Sequence, residues 1–175
     1  MKSVLISIKP KYVELIANGE KTIEVRKSAP KEVPFKAYIY ETKGATEMPW
    51  VDEDGHFIYK GRGQVIGEFV CDKVMFLTPL GLRGFEMREE ILKSICLTND
   101  DLNAYGGLKT LYGWQISDLK IYDKPKPIMQ FYKPCPIKIK NCPVCELYST
   151  YTGCCMNNID RPPQSYMFVE ELGEV

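Results

Sequence analysis

Within the stretch "GEKTIEVRK", Gly19 to Lys27, a lysine, a glutamate and an arginine fall close together as Lys21, Glu24 and Arg26. In an extended strand successive side chains alternate between faces, so Glu24 and Arg26 point the same way, and Ile23 and Val25 point the other. Lys21 has the opposite parity, but it sits at a turn, where direction is less constrained. Three chemistries are open to such a set. A lysine buried beside an arginine has a lowered pKa and can act as a base or nucleophile. A glutamate can pair with the cations or shuttle a proton. Alternatively, the three form a structural network that pins strand to helix.

The elements around these residues set their direction. "VLISI", Val4 to Ile8, reads as a compact apolar strand. Pro10 suits the first turn of a helix, where its missing N–H costs nothing. Tyr12, Leu15 and Ile16 then give that helix one apolar face, and Gly19 is placed to end it in the left-handed conformation. "KAYIYET" reads as the next strand. "QVIGEFVCDKVMFL" reads as one long strand in which Gly67 marks a bulge or a close backbone approach. "FEMREEILKSIC" is helical in pattern, and "TNDDLNAYGG" opens on Thr98 as N-cap with Asp101 three residues on, a capping-box spacing. "LYGWQISDLKIYDKP" is a strand with an expected bulge near Ser117. "QSYMFVEEL" is a final short strand. Few of these strands are bracketed by helices on both sides, which favours a mixed, mostly antiparallel α+β barrel. Between them, "EDGH" reads as a hairpin tip that leaves the single histidine, His56, at the surface.

Gly19, Lys21, Glu24 and Arg26 spell Gly-x-Lys-x-x-Glu-x-Arg after a helix. Here the chain resembles the ASCH domains of the PUA-like superfamily. "SIKPKYVELIANGEKTIEVRK" carries the strongest likeness, and "GQVIGEF" and "YGWQISDL" resemble later strands of the family. The resemblance implies a small, mostly antiparallel β-barrel with flanking helices and the motif in a cleft. It also implies RNA or modified-nucleotide recognition, or, in a few small members, nuclease or amidohydrolase activity on acylated cytidines. Those amidohydrolases share Lys21 but carry threonine where Glu24 stands, which leaves Thr22 as the only nearby hydroxyl for the catalytic set Lys21, Glu24 and Thr22. Lys9 and Ser7, flanking the first strand and helix, are candidate phosphate contacts. Tyr12, Tyr38, Tyr40, Trp50 and Trp114 are candidate stacking surfaces for a base. Trp114, following Gly113 near a barrel mouth, is the leading one.

Lys and Arg total 23, equal to Asp and Glu at 23, so no general nucleic-acid coat is present. Charge is local instead. Met1 to Tyr40 holds eight Lys or Arg against four Glu, and Lys120 to Lys140 holds six Lys against one Asp. If the two segments met, they would form one electropositive face. The length of 175 residues fits one domain with an appendage, divided here as a barrel over 1–130 and a Cys-rich tail over 131–175. The final strand is expected to pack back on the barrel. Neither a signal peptide nor a membrane-spanning run is legible, so the expectation is a soluble, cytoplasmic protein.

Five of seven cysteines lie in the tail: Cys135, Cys142, Cys145, Cys154 and Cys155. "CPVC" is a Cys-x-x-Cys knuckle, and a cysteine pair follows nine residues later. Thiolates so spaced suit tetrahedral zinc, and a segment with so few aliphatics gains from a metal staple. A free-thiol loop and a disulfide or redox role stay open. Cys71 and Cys96 sit in apolar patterns as packed thiols. The functions this leaves are an RNA- or modified-nucleotide-binding module, a hydrolase using Lys21, or a zinc-stabilised adaptor whose tail docks a protein partner.

Overall fold

A computed structural model describes residues 1–43, 61–134 and 158–170. The tail cysteines, Trp50 and His56 lie outside the described residues. In chain order the elements are β1 (Lys2–Ile8), α1 (Pro10–Ala17), β2 (Ile23–Arg26), β3 (Phe35–Glu41), β4 (Val65–Cys71), β5 (Val74–Leu77), α2 (Glu89–Ile95), α3 (Asn99–Gly106), β6 (Leu111–Gln115), β7 (Ser117–Lys126) and β8 (Tyr166–Val169). Among the described residues no helix is long and apolar enough to cross a membrane.

The strands form two sheets, ordered β7-β4-β3-β1-β8 and β2-β6-β5. β1 and β3 run parallel, and every other pair is antiparallel. The mixed, mostly antiparallel α+β reading therefore holds, but the described strands do not close into one barrel. The reason is two breaks at one corner. The run read as a single long strand stops at Cys71 and resumes at Val74 in the other sheet. The run from Leu111 to Lys126 breaks at Ile116, where a simple bulge was expected, and likewise changes sheets. Backbone bonds from Gln115 to Lys73 (3.0 Å) and from Ile116 to Thr22 (2.9 Å) hold that corner.

The apolar core follows the alternation of the strands. One face of β1, β3 and β4 contributes Val4, Ile6, Phe35, Ile39 and Phe69 to a cluster that also takes in Val13 and Ile16 of α1. The opposite face packs Leu5, Tyr38 and Tyr40 against Phe131 and Ile159. A third cluster joins Ile23 and Val25 of β2 to Ile95 of α2 and Leu102 of α3. β8 pairs with β1, Ser3 opposite Val169, so the chain end returns to the first strand. The two basic segments meet through apolar contacts, with Tyr38 against Phe131 in the core, and there Lys36 of the first lies 3.6 Å from Glu68.

Candidate functional site

A cleft of about 640 Å³ opens where the C-terminal end of β1, β2, α1 and α3 meet. The turn after α1 aims Lys21 into it. Gly19 takes φ +76°, and the amides of Glu20 and Lys21 both return to the Leu15 carbonyl at 2.9 Å. The chain is thereby folded under the end of α1 before β2 begins. The amide of Thr22 then bonds Ser94 O at 2.9 Å, tying the turn to α2.

Lys21 is only 2% exposed. Its Nζ donates to the Ile95 carbonyl at 2.5 Å and lies 3.6 Å from Glu24 Oε2. Ile95 is the last residue of α2, so the ammonium meets an orphan carbonyl at the negative end of a helix. Arg26 Nη2 sits 3.0 Å from Glu24 Oε1 and donates to the Ser7 carbonyl at 2.5 Å. Glu24 thus bridges two cations, with all three side chains buried. Arg26 Nε is buried without a hydrogen-bond partner among the described residues. Burial pushes the Lys21 pKa down, Glu24 pulls it back up, and the Arg26 guanidinium pushes it down again.

The structure brings together Lys9, Lys21, Glu24 and Arg26 on the cleft wall, with Ser7 beside them. Two expected members are elsewhere. Thr22 is exposed and does not line the cleft, because its backbone is held between Ser94 of α2 and Ile116 at the β6–β7 break while its side chain faces out. Its place as the only nearby hydroxyl is taken by Ser7, Thr42, Tyr12 and Tyr105, all on the wall. Trp114 stands opposite Glu24 across the β2–β6 pair, but its ring is 0% exposed. It packs edge-on against Phe35 (5.0 Å) and Tyr166 (5.2 Å). The space between the two sheets calls for the largest apolar side chain, so Trp114 backs the site from the core and does not rim it. Tyr38 and Tyr40 are likewise core residues.

α3 supplies what the sequence reading missed. Asp101, Ala104 and Tyr105 line the cleft, spaced i, i+3 and i+4 on one helical face. Tyr12 faces them from α1, its ring 5.3 Å from Lys21 Nζ. Both phenols are held in the protonated form. Tyr12 is raised by burial, then by Asp101 and Glu24. Tyr105 is raised by burial, with Arg26 opposing and Glu24 reinforcing. The helical face was visible in the sequence as a spacing, but nothing marked it as turned toward β2. Among the described residues no group of His, Cys, Asp and Glu is arranged to hold a metal. Cys71 is packed as expected, and burial pushes its thiol up to about 11. Cys96 is only half-buried, at the left-handed C-cap of α2.

A two-sheet α+β fold with a charged cleft behind its first helix is the arrangement expected of a PUA-like domain. The ASCH-domain family model matches residues 6–137, well over half of the 175, and the chain belongs to that family. Among solved structures it is similar to an ASCH protein from Zymomonas mobilis, at 16% identity and a TM-score of 0.55, over 97% of this chain and 89% of that one. A variant of that Zymomonas mobilis protein with a tyrosine replaced by phenylalanine matches at 16% identity and a TM-score of 0.51, over 98% of this chain and 92% of that one. At such identity the likeness shows the fold. No curated protein matches the sequence significantly.

Proposed function

We propose that the cleft binds RNA, or a modified nucleotide, by taking in a base, with phosphate held at the rim by Lys9. The observation that carries this reading is the buried Lys21–Glu24–Arg26 set with Arg26 Nε left unpartnered. A buried donor without an acceptor carries a desolvation cost that a ligand acceptor atom relieves. The wall groups Lys9, Lys21 and Arg26 face Glu24 and Asp101, three cations against two carboxylates. That near-balance suits the mixed donors and acceptors of a base edge better than a phosphate dianion. Membership of the ASCH family, generally associated with RNA binding, supports the same reading.

Arg26→Ala is expected to weaken RNA binding by roughly 1.5–3 kcal/mol, the range for a hydrogen bond to a charged group, without changing the salt slope. Lys9→Ala is expected to reduce the slope of log affinity on log salt by about 0.7, one single-strand phosphate contact. Fluorescence anisotropy across a salt series measures both. Wild-type affinity unchanged in Arg26→Ala would sink the reading.

A hydrolase is the second reading, favoured by the lowered pKa of Lys21 beside a carboxylate 3.6 Å away. Lys21→Arg keeps the charge but cannot lose its proton at a usable pH. Steady hydrolysis of an acylated cytidine by the wild type, lost in Lys21→Arg while RNA binding persists, would put this reading first.

A further inference from the structure

The three-stranded sheet carries a second feature beside the cleft. Residues directly opposite one another in antiparallel strands share a face. Glu24, Trp114 and Val74 form one such row, and Arg26, Tyr112 and Phe76 form the next. The opposite face, with Ile23, Val25, Leu77 and Leu111, is covered by α2 and α3. The row that begins at Arg26 starts buried in the cleft wall, passes through the half-buried Tyr112, and ends at Phe76, which is 71% exposed. The rings of Phe76 and Tyr112 lie 5.5 Å apart at an interplanar angle of 60°. Two strand spacings separate the Arg26 backbone from that of Phe76, roughly 10 Å.

We propose that Phe76 and Tyr112 are a stacking platform for a second base of the strand whose first base occupies the cleft. The ligand is then a single-stranded nucleic acid of several nucleotides and not a free nucleoside. This rests on the cleft reading above. An exposed phenylalanine in mid-strand presents a π-face that any base can stack on, and such contacts tolerate sequence. The platform shares a sheet face and a register row with Arg26, two strands away, a separation that an extended single strand of several nucleotides can span. Tyr112 is half-buried against the core, and such packing restrains a ring and lowers the entropy lost when a base settles on the pair.

The test uses the full chain with two probes: a fluorescein-labelled RNA of random sequence, about twelve nucleotides long, within the usual span of single-strand sites, and a set of nucleoside monophosphates followed by calorimetry. Phe76→Ala is expected to lower affinity for the RNA about tenfold, in line with loss of one stacked base, and to leave monophosphate binding as in the wild type. Phe76→Trp is expected to retain RNA affinity. Arg26→Ala is expected to weaken both probes. RNA affinity in Phe76→Ala equal to the wild type overturns the platform while leaving the cleft reading in place. Failure of wild-type protein to bind either probe overturns the cleft reading and the platform with it. Phe76 is exposed, so an unchanged melting temperature in Phe76→Ala separates lost stacking from lost folding.

Discussion

Lys21, Glu24 and Arg26 serve both the fold and the cleft, and substitutions separate the two roles. Glu24 is the only acid in the buried set, bridging Lys21 and Arg26. Glu24→Gln leaves two buried cations without their counter-ion, and a loss of roughly 3–5 kcal/mol is expected in chemical denaturation, the range for breaking a buried pair. Lys21 gives a pH signature. Its folded pKa lies below its ordinary value of 10.5, so between the two values the unfolded chain binds more protons than the folded one. Stability from this group therefore rises with pH through that alkaline window, and below it the cost of burying the charge is fully present. Cys71 works in the opposite direction, since its folded pKa of about 11 lies above the ordinary 9.0 and stability falls as pH rises between them. Lys21→Met removes the rising contribution alone. The difference in melting temperature between wild type and Lys21→Met, followed from neutral pH to about pH 10 within the range of the lysine titration, should shift in favour of the wild type. A difference that stays flat would mean that Lys21 is not held in a depressed state. The motif was legible in the sequence because charge, glycine and helix stop are local patterns. Thr22 and Trp114 were misplaced because side-chain direction at a turn, and depth between two sheets, depend on partners distant in sequence.

At the level of elements, two glycines act for different reasons. Gly19 has φ +76°, and no atom lies within 4 Å of the position a Cβ would take, so Gly19→Ala introduces backbone strain alone, about 1–2 kcal/mol. Gly67 lies in β4, where a Cβ would come 2.5 Å from the Lys120 carbonyl of β7. Gly67→Ala must move that strand, and the expected loss of about 1–3 kcal/mol is accompanied by faster amide exchange in β7. The bulge foreseen at Gly67 is present as register shifts in the β3–β4 and β4–β7 pairs. The capping box foreseen at Thr98 is present too, with the Asp101 amide donating to Thr98 Oγ1 at 3.1 Å and the Thr98 amide donating to Asp101 Oδ2 at 2.9 Å. Asp101 also lines the cleft, so the cap sets the position of the helical face that carries Tyr105. The sheet switches at Asp72–Lys73 and at Ile116 escaped the sequence reading because an uninterrupted apolar pattern looks the same whether a strand continues or turns a corner into a second sheet.

On the scale of the whole molecule, the tail is anchored at both ends of its cysteine-bearing stretch. Before that stretch, Phe131 is fully buried beside Tyr38, ring centroids 5.0 Å apart. After it, Ile159 is buried in the same cluster, its amide bonded to the Phe131 carbonyl at 3.1 Å, and β8 completes the five-stranded sheet. The boundary drawn at residue 130, from the reach of the family likeness and the cysteines beyond it, has Ile128 and Phe131 of one core cluster on its two sides. Cys135, Cys142, Cys145, Cys154 and Cys155 lie between these two anchors, and the zinc proposed from their spacing would close a loop whose ends the fold already holds together. A staple in such a loop adds less to global stability than one that closes a free chain, because the loop-closure entropy has been spent by the core. Elemental analysis of protein purified without chelators is expected to give close to one zinc per chain, in keeping with a single four-thiolate site. The Cys142→Ser/Cys145→Ser double variant is expected to lose the metal and to keep the melting temperature of the two-sheet core. Amide exchange in Tyr166–Val169 is expected to stay slow in that variant, since β8 is held by its pairing with β1. Metal-free wild-type protein with a cooperative unfolding transition would remove zinc from the account. Exchange in β8 that quickens on losing the metal would instead make the staple a condition for completing the sheet.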